Sequence, residues 1–214
     1  MTTEIELKYL IPANHNDNDL VVDKITALLN AQNITFTLDK KQLSNSYFDN
    51  NDLALRKMDI GLRIRGVDQA YEQTIKTAGK VVGCLHQRPE YNVALEGNHL
   101  DLSLFPEHIW PEHVDVLILQ KSMQVIFNTN FFRQTWLITQ ESSVIELALD
   151  RGEISIDSNV DTLAINELEI ELVSGDEQAL FALAEQLVTV VQMKPGKLSK
   201  AARGYALYHQ RDGS

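Results

Sequence analysis

The sequence predicts an α+β protein in which an antiparallel β-barrel or sandwich carries helices at its periphery. Eight or nine strand-like segments follow one another, with few helical segments between them. Clusters of turn-forming residues, such as Asp49–Asp52 and Ala78–Lys80, separate these segments. The 214 residues suffice for one sizeable hydrophobic core, and no linker or internal repeat interrupts them. We therefore expect residues 1–214 to form a single domain.

The predicted strands are recognised by side chains that alternate between two faces. Glu4–Ile11 shows this most clearly, because charged and apolar residues alternate until Pro12 ends the run. Similar segments, separated by turns, continue through most of the chain. The further predicted strands are Ile34–Phe48, Gly61–Val67, Ala70–Lys76, Val81–Leu95, Phe131–Thr139, Val144–Asp150, Glu153–Ile156 and Leu163–Val173.

Four segments are predicted to be helices. Asn18–Ala31 repeats apolar residues every three to four positions, which is typical of an amphipathic helix. Glu177–Gln192 has the same pattern and follows residues that can cap a helix. Lys200–Gln210 is expected to form a short final helix, and Trp110–Phe127, of mixed composition, a peripheral one.

The amino-acid composition limits the kinds of molecule that this protein is expected to bind. A net charge of −11 disfavours nucleic acids and anionic membranes. The single cysteine, Cys84, excludes a disulfide framework and a cysteine-based zinc site, and suits a reducing compartment. Neither a signal peptide nor an apolar run of about 20 residues, as a membrane span needs, is visible. We expect a cytoplasmic protein that is a monomer or a homodimer.

Charged residues recur at every second position of several predicted strands and therefore share one face of each strand. Acidic pairs come from both ends of the chain, whereas the basic pairs come from its middle. The charged series are Glu4-x-Glu6-x-Lys8, Arg63-x-Arg65, Glu72-x-Thr74-x-Lys76, Arg88-x-Glu90, Glu146-x-Ala148-x-Asp150 and Glu167-x-Glu169-x-Glu171.

Two interpretations of these charged faces remain open from the pattern alone. They are either the wet outer face of a half-buried sheet, which is the common arrangement, or the lining of a polar lumen. The three same-face carboxylates Glu167, Glu169 and Glu171 favour the lumen, because they repel one another and attract a cation. Carboxylate oxygens suit Mg²⁺ or Mn²⁺, and paired arginines suit phosphoryl oxygens.

The ordered series of motifs resembles the CYTH superfamily, also known as triphosphate tunnel metalloenzymes. The resemblance extends from about residue 3 to residue 208 and is greatest to the bacterial inorganic triphosphatases, here without the CHAD domain that often follows. Its motifs are Glu4-Ile5-Glu6-Leu7-Lys8, Tyr47-Phe48-Asp49, Leu62-Arg63-Ile64-Arg65, Thr74-Ile75-Lys76, Arg88-Pro89-Glu90-Tyr91, Arg133, Glu146-Leu147-Ala148-Leu149-Asp150, Glu167-Leu168-Glu169-Ile170-Glu171-Leu172 and Lys197-Leu198-Ser199-Lys200.

The resemblance implies a closed, eight-stranded antiparallel β-barrel, a tunnel with a charged lumen and peripheral helices. It implies that acidic residues hold Mg²⁺ or Mn²⁺, and that the segment Lys197–Arg203 plugs the tunnel. The implied metal ligands are Glu4, Glu6, Glu146, Glu167 and Glu169, with Glu171 a weaker candidate. The implied phosphate-binding residues are Lys8, Arg63, Arg65, Lys76, Arg88, Arg133, Lys197, Lys200 and Arg203.

The expected reaction is metal-dependent hydrolysis of the terminal phosphate of a small-molecule triphosphate, foremost inorganic tripolyphosphate. Triphosphate hydrolysis passes through a loose transition state, so positioning and charge stabilisation dominate catalysis. Glu169 or Glu171 is the expected general base. A lysine, Lys8 or Lys76, is the alternative base, because neighbouring cations lower lysine pKa values.

Several other functions fit the same residues. A thiamine triphosphatase or a class IV-type adenylyl cyclase would use the same phosphate site with an additional organic group. A non-catalytic module that binds polyphosphate or nucleotides is also possible, although it would need no metal-binding carboxylates. A β-sandwich with charged outer strands leaves the ordered motifs unexplained. The histidines, including His86, show no metal-ligand spacing and are set aside.

Overall fold

The computed structural model describes residues 2–12, 18–68, 70–156 and 162–212. The described chain forms ten strands and five α-helices. The strands are β1 (Thr2–Leu10), β2 (Thr35–Asp49), β3 (Gly61–Val67), β4 (Ala70–Lys76), β5 (Lys80–Val82), β6 (Leu85–Leu95), β7 (Gln124–Gln140), β8 (Ser143–Ser155), β9 (Thr162–Ser174) and β10 (Lys194–Pro195). The helices are α1 (Asn18–Ala31), α2 (Ala54–Lys57), α3 (Val116–Ser122), α4 (Glu177–Val190) and α5 (Lys200–Asp212).

Eight of the strands close into an antiparallel barrel. Their order is β1-β9-β8-β7-β2-β3-β4-β6, and β6 pairs back onto β1. The closing register places Glu4 opposite Arg88 and Glu6 opposite His86. The two short strands β5 and β10 extend the sheet on β6 and β1. The closed eight-stranded barrel expected from the resemblance is confirmed.

Charged side chains of the barrel strands surround a lumen, and apolar side chains of the same strands face outward. On β1, Glu4, Glu6 and Lys8 line the lumen, whereas Leu7 faces outward and is 1% exposed. Helices α1 and α4 cover the outward side chains of β1, β8 and β9, with which they form one buried apolar cluster. Burying each such side chain contributes about 1.5–3 kcal/mol, so this outer layer offsets the cost of enclosing charges.

Two further apolar clusters complete the core, and the first lies on the lumen-facing side of the strands, since it includes Tyr47 of the cavity lining and Phe131, whose ring lies under the Arg133 guanidinium. This cluster lies beneath α5, where Tyr205 packs against Phe127 and donates a hydrogen bond to the buried Asp49, with an O···O distance of 2.9 Å. The other lies beneath residues 100–123, where Phe105 and Trp110 are buried. None of the described helices is both long and apolar enough to cross a membrane.

Several sequence-predicted boundaries are wrong, each for a local reason. Val81–Leu95 is a hairpin, because Gly83 at a φ of +64° turns the chain between β5 and β6. Val144–Asp150 and Glu153–Ile156 belong to one strand, since Gly152 continues β8. A Cβ at Gly152 would lie 2.1 Å from the carbonyl oxygen of Asn130, so glycine permits close strand packing there.

The predicted helix Trp110–Phe127 is also wrong over most of its length. A 3₁₀ turn, Glu107–Ile109, precedes it, and only Val116–Ser122 is α-helical. The following residues begin β7 at Gln124, so the predicted strand Phe131–Thr139 is longer than expected. Mixed composition gave no periodicity that could separate a short helix from the adjoining strand.

Helix α5 packs closely onto the barrel at Gly204. A Cβ there would lie 2.3–2.6 Å from three atoms of the Phe127 ring. We expect Gly204→Ala to lower the free energy of unfolding by about 1–3 kcal/mol, because the helix must shift. Helix propensity alone would instead favour alanine by about 1 kcal/mol.

Thermal unfolding followed by circular dichroism measures this effect. Ala206→Gly, at an exposed position of the same helix, serves as the control for helix propensity and should cost about 1 kcal/mol. A melting temperature of Gly204→Ala at or above that of the wild type would contradict the close packing of α5.

Candidate active site

The lumen encloses a cavity of about 190 Å³ that is lined almost entirely by charged side chains. Thr74, Ser199, Tyr47, Gly61 and Ala201 complete the wall. The seven basic residues are Lys8, Arg63, Arg65, Lys76, Arg88, Arg133 and Lys200, and the six acidic residues are Glu4, Glu6, Glu90, Glu146, Glu169 and Glu171. Most of the sequence-predicted site residues are therefore brought together in one cavity.

Three of the predicted site residues lie outside this lining. Glu167 is fully buried behind it and pairs with Lys200 and Arg203. The Arg203 guanidinium is thereby occupied by Glu167 and by the carbonyl oxygen of Ala164. Lys197 is exposed and lines a neighbouring cavity instead.

Four glutamates form a carboxylate quartet on one wall of the lumen. Glu6 lies opposite Glu171 in the β1–β9 register, and Glu171 lies opposite Glu146 in the β9–β8 register. Glu4 lies two residues from Glu6 on the same face of β1. Like charges directly opposite one another in a sheet repel, so this row needs a compensating cation.

Basic nitrogens lie 2.5 Å from the carboxylate of Glu4 and 3.5 Å from those of Glu6 and Glu146, so the uncompensated member of the quartet is Glu171. No basic nitrogen lies within 4.0 Å of the Glu171 carboxylate in the described part of the chain. Burial, together with the carboxylates of Glu4, Glu6 and Glu146, raises the pKa of Glu171 to about 8. The buried Oε2 of Glu4 has no hydrogen-bond partner, and burial raises the pKa of this carboxyl as well. The quartet therefore offers oxygen ligands of the kind that Mg²⁺ and Mn²⁺ prefer.

A second acidic group is compensated by cations. Carboxylate oxygens of Asp150, Glu167 and Glu169 lie within 4.8 Å of one another, a spacing that could hold a metal ion. The Lys200 ammonium, however, lies 2.5–2.9 Å from all three carboxylates. Arg133 adds a fork of two 2.7 Å hydrogen bonds to Asp150. Because this group is already neutralised, it fits a metal ion less well than the quartet does.

On another part of the wall, two arginines lack acidic partners. Among the described residues, no carboxylate lies within 4.0 Å of the Arg63 or Arg65 guanidinium. Nε of Arg65 donates to Asn45 at 2.8 Å, while Nε of Arg63 is buried without a partner. Burial and the nearby Arg63 and Arg133 lower the pKa of Arg65 to about 9. This arginine pair would be stabilised by an anion with several oxygens.

The two expected kinds of general base differ in their electrostatics. Burial lowers the pKa of Lys8, but Glu169, Glu6 and Glu167 outweigh burial and raise it well above its ordinary value. The expected lowering of the lysine pKa is thus wrong for Lys8, which stays protonated. Lys200, Lys8 and Arg133 overcome the effect of burial on Glu169 and hold its pKa well below the ordinary value. Of the two carboxylates, Glu171, with a pKa raised to about 8, is therefore the better proton acceptor.

Sequence reasoning missed several residues of the site, although strand alternation contained a signal for some of them. Glu90 shares a face with Arg88, and Asp150 shares one with Glu146. Lys76 and Arg63 outweigh burial and lower the pKa of Glu90 to about 2, so this residue is an anionic partner of the lumen cations.

The role of His86 had no sequence signal. This side chain is 1% exposed and lies on the same face of β6 as Arg88. Its Nε2 lies 3.1 Å from the carbonyl oxygen of Gly196, and its Nδ1 lies 3.3 Å from Nη2 of Arg88. Burial lowers the pKa of His86. A neutral His86 that donates to Gly196 and accepts from Arg88 therefore orients this arginine.

The raised pKa of Glu171 predicts how stability depends on pH without metal. A carboxyl group with a raised folded-state pKa contributes stability that is complete below its unfolded-state pKa and is lost as the pH rises through the folded-state value. Glu171→Gln removes this loss. In EDTA, we expect the melting temperature of Glu171→Gln to rise relative to that of the wild type as the pH increases from 5 to 8.5.

Scanning calorimetry at the two pH values measures this difference. Glu185→Gln, at an exposed position on α4, is the matched control and should show no such trend. Saturating MgCl₂ should remove the relative advantage of Glu171→Gln at pH 8.5, because the cation stabilises only an intact quartet. If the difference in melting temperature between Glu171→Gln and the wild type were the same at both pH values, this result would contradict the repulsion within the quartet.

The geometry agrees with a comparison against protein-family models. The CYTH domain model matches residues 2–205, which is nearly the whole chain. The chain belongs to the CYTH family. The ordered charged motifs lie within the matched range, and the barrel with its charged lumen is the CYTH fold of this chain.

A curated relative supports membership of the CYTH family at the level of sequence. The chain is 37% identical over 208 residues to a protein named "Inorganic triphosphatase" from Haemophilus influenzae. The alignment covers 97% of this chain but 55% of the relative, so the chain spans about half the length of that protein.

Solved structures support the CYTH fold. A proposed adenylyl cyclase from Hippeastrum, described as having a dominant triphosphatase activity, superposes with a TM-score of 0.63 at 17% identity, covering 97% of this chain and 96% of that one. A proposed adenylate cyclase from Bacillus halodurans has a TM-score of 0.52 at 21% identity, covering 95% and 98%. At these identities the similarity establishes the fold alone.

Proposed function

We propose that this CYTH domain hydrolyses the terminal phosphate of inorganic tripolyphosphate with the help of a divalent metal ion. The observation that carries the proposal is the charge pattern of the lumen, in which Glu171 of the carboxylate quartet has no cation partner and the Arg63–Arg65 pair has no acidic partner among the described residues. A complex of a divalent cation with a triphosphate supplies both missing charges. The printed name of the Haemophilus influenzae relative supports the same activity.

The quartet is the proposed metal site. Glu4, Glu6 and Glu146 would hold Mg²⁺ or Mn²⁺, and Glu171 would lie beside the ion without ligating it. The unpartnered Oε2 of Glu4 and the like-charged register row fit a cation, whereas the predicted ligands Glu167 and Glu169 are engaged by lysine and arginine. When bound, a divalent ion supplies positive charge to phosphoryl oxygens and lowers the pKa of water.

The basic residues of the lumen are the proposed phosphate ligands. Arg63 and Arg65 have fork-shaped guanidinium groups that are not engaged by carboxylates, so they can bind phosphoryl oxygens without first breaking an ion pair. Lys76 and Arg88 lie near the quartet through Glu4, at 2.5 Å and 4.0 Å, and can neutralise charge beside the metal. Lys8, Arg133 and Lys200 fix the intervening carboxylates and contribute positive potential.

Glu171 is the proposed proton acceptor. Of the candidate bases, Lys8 is held protonated and Glu169 is held as a poorly basic carboxylate, for the reasons given above. The Glu171 carboxylate would accept the proton of the attacking water as the terminal P–O bond breaks. Little assistance from a base is needed, because the transition state of phosphoryl transfer is loose.

The inorganic substrate is favoured by the size and lining of the lumen. Pockets for organic ligands of drug size commonly enclose about 300–1,000 Å³ and are mostly apolar, with aromatic walls. This cavity of about 190 Å³ has a single aromatic lining residue, Tyr47, whose ring already stacks on Phe127. Adenine or thiamine would therefore find little apolar surface within the lumen.

Release of phosphate from tripolyphosphate, ATP and thiamine triphosphate, with Mg²⁺ or Mn²⁺, tests the proposal. We expect tripolyphosphate to give the highest kcat/KM and EDTA to abolish turnover. Selective turnover of ATP or thiamine triphosphate would move the function to an organic substrate on the same site. Tight binding without turnover would make this a binding module. A cytoplasmic location and a monomeric or homodimeric state stay predictions.

A further inference from the structure

Two arginines of the lumen are held in place by different chemistry. The Arg133 guanidinium donates two hydrogen bonds of 2.7 Å to the Asp150 carboxylate and one of 2.6 Å to that of Glu169. The Arg65 guanidinium is held through Nε, which donates to the amide oxygen of Asn45 at 2.8 Å. Arg133 is therefore neutralised by its partners, whereas the partner of Arg65 carries no charge.

Asn45 lies behind Arg65 in the barrel wall. Its side chain is 1% exposed and does not belong to the lining of the lumen, whereas that of Arg65 does. Asn45 lies directly opposite Arg65 in the β2–β3 register and directly opposite Thr129 in the β2–β7 register. The three side chains therefore form one row across three neighbouring strands.

The orientation of the Asn45 amide is determined by Thr129. Nδ2 of Asn45 donates to Oγ1 of the fully buried Thr129 at 2.9 Å and to its carbonyl oxygen at 3.4 Å. A carbonyl oxygen only accepts hydrogen bonds, so the amide nitrogen must face Thr129. The amide oxygen must then face Arg65, where it accepts from Nε.

The hydrogen bond at Nε leaves the terminal nitrogens of Arg65 for a ligand. A guanidinium presents its N–H donors in a planar fork, whose Nη1 and Nη2 edge binds a phosphoryl group through two parallel hydrogen bonds. Because Asn45 lies behind the lining, it restrains Arg65 without occupying the space in which an anion would bind. The amide therefore reduces the freedom that this arginine would lose on binding.

An uncharged partner also preserves the charge that attracts an anion. Burial lowers the pKa of Arg133, but Asp150 outweighs burial and raises it well above its ordinary value. Burial, Arg63 and Arg133 instead lower the pKa of Arg65 to about 9, because Arg65 has no comparable carboxylate. A carboxylate in place of Asn45 would neutralise Arg65 as Asp150 neutralises Arg133, and an anion would then have to displace it.

We propose that Asn45 is a positioning residue for phosphate binding. Its uncharged amide holds Arg65 through Nε and keeps the charge and the terminal donors of this arginine available to the triphosphate. The identity of this anion rests on the proposed function. Asn45 itself does not touch the substrate, since it lies outside the lining of the lumen.

Asn45→Asp tests the inference, because it keeps the size of the side chain and its acceptor oxygen but adds a neutralising charge. We expect KM for tripolyphosphate to rise about ten- to a hundredfold, with kcat changed by less than about threefold, since the substrate loses a hydrogen bond between charged groups that contributes to ground-state binding. Isothermal titration calorimetry with tripolyphosphate in EDTA should show a similar loss of affinity without turnover.

Asn128→Asp is the matched control for the added charge. Asn128 is half-buried on β7, one residue from Thr129, and therefore lies on the opposite face of the strand. Its Oδ1 accepts a hydrogen bond from Ser46 at 2.9 Å, which a carboxylate would also accept. We expect Asn128→Asp to change neither KM nor the affinity in EDTA.

A double-mutant cycle shows whether Asn45 acts through Arg65. Asn45→Ala removes the amide without adding charge and should raise KM about three- to tenfold, the scale of one neutral hydrogen bond. In the Arg65→Gln variant, whose KM is already raised, the same change should have no further effect, because the group that Asn45 positions is absent. Thermal unfolding without ligand identifies the folded variants, and Asn45→Asp and the cycle are independent tests.

Three results would overturn the inference. They are a KM of folded Asn45→Asp within about threefold of the wild type, an equal rise in KM for Asn128→Asp, and an undiminished effect of Asn45→Ala in the Arg65→Gln variant. Turnover by the wild type reports separately on the proposed function. If the wild type bound tripolyphosphate without hydrolysing it, the proposed function would fail, and unchanged affinity of Asn45→Asp in EDTA would then reject the inference as well.

Discussion

Replacing Glu4 and Glu6 together with glutamine is expected to lower kcat/KM for tripolyphosphate by about 10³-fold, since losing even one charge-stabilising group in a closed site costs 10²–10³. Both carboxylates line the lumen and are nearly buried, at 8% and 5% exposure. Glutamine keeps the shape of each side chain but removes the charge of two of the three carboxylates of the proposed metal site. Phosphate release at saturating Mg²⁺ measures the loss.

A matched double change separates this effect from a general loss of negative charge. Glu153→Gln/Glu185→Gln alters two exposed glutamates, on β8 and α4, and should keep wild-type activity. The circular dichroism spectrum of Glu4→Gln/Glu6→Gln without metal should be that of the folded wild type, because Lys76 keeps Glu90 and Lys8 keeps Glu169 as ion-pair partners. Retention of more than a tenth of the wild-type rate by this variant would contradict the assignment of the metal site.

Replacing Arg133 with methionine is expected to be the most destabilising single change in the lumen. Arg133 makes two 2.7 Å hydrogen bonds to Asp150, which is fully buried, and one of 2.6 Å to Glu169. Removing it leaves Asp150 with Lys200 as its remaining cation. Breaking one side of a buried ion pair costs roughly 3–5 kcal/mol, so thermal unfolding should begin at a markedly lower temperature.

The ion pair between Lys41 and Asp39 supplies the control for Arg133→Met. Its N···O distance is a similar 2.7 Å, but both side chains are more than half exposed. Exposed pairs contribute about 0–1 kcal/mol, so Lys41→Met should leave the melting temperature almost unchanged. Similar melting temperatures for the two variants would contradict a structural role for the buried Arg133 network.

The fold was predictable because charged and apolar residues alternate along the strands and so distinguish the two faces of each strand. Glu4, Glu6 and Lys8 on one face of β1, with Ile5 and Leu7 on the other, indicate a polar and an apolar side. Alternation could not decide which side faces inward, since a wet outer face gives the same pattern. The family resemblance decided it, and the covering helices α1 and α4 explain how an apolar exterior remains buried.

The pairing of charges across the lumen was not predictable from alternation. Glu167, Glu169 and Glu171 look equivalent in the sequence, yet their partners come from distant segments. Lys200 engages the first two, whereas Glu171 faces Glu6 and Glu146 across the sheet. Register and barrel closure, which determine these neighbours, depend on the whole topology rather than on any one motif.

Turn chemistry accounts for most of the remaining errors. A glycine within a strand pattern can mark either a turn or close strand packing, and the chain uses both. Gly83 turns the chain, whereas Gly152 continues β8 against the backbone of its neighbour. Lys197 was expected in the lumen because it belongs to the same motif as Lys200, but its side chain lines the neighbouring cavity instead.

Anomalous X-ray scattering from crystals soaked with Mn²⁺ and tripolyphosphate tests the central claim most directly. The account predicts a manganese peak among the carboxylates of Glu4, Glu6 and Glu146, with phosphate density against Arg63 and Arg65. A manganese peak among Asp150, Glu167 and Glu169, or phosphate density outside the lumen, would contradict it.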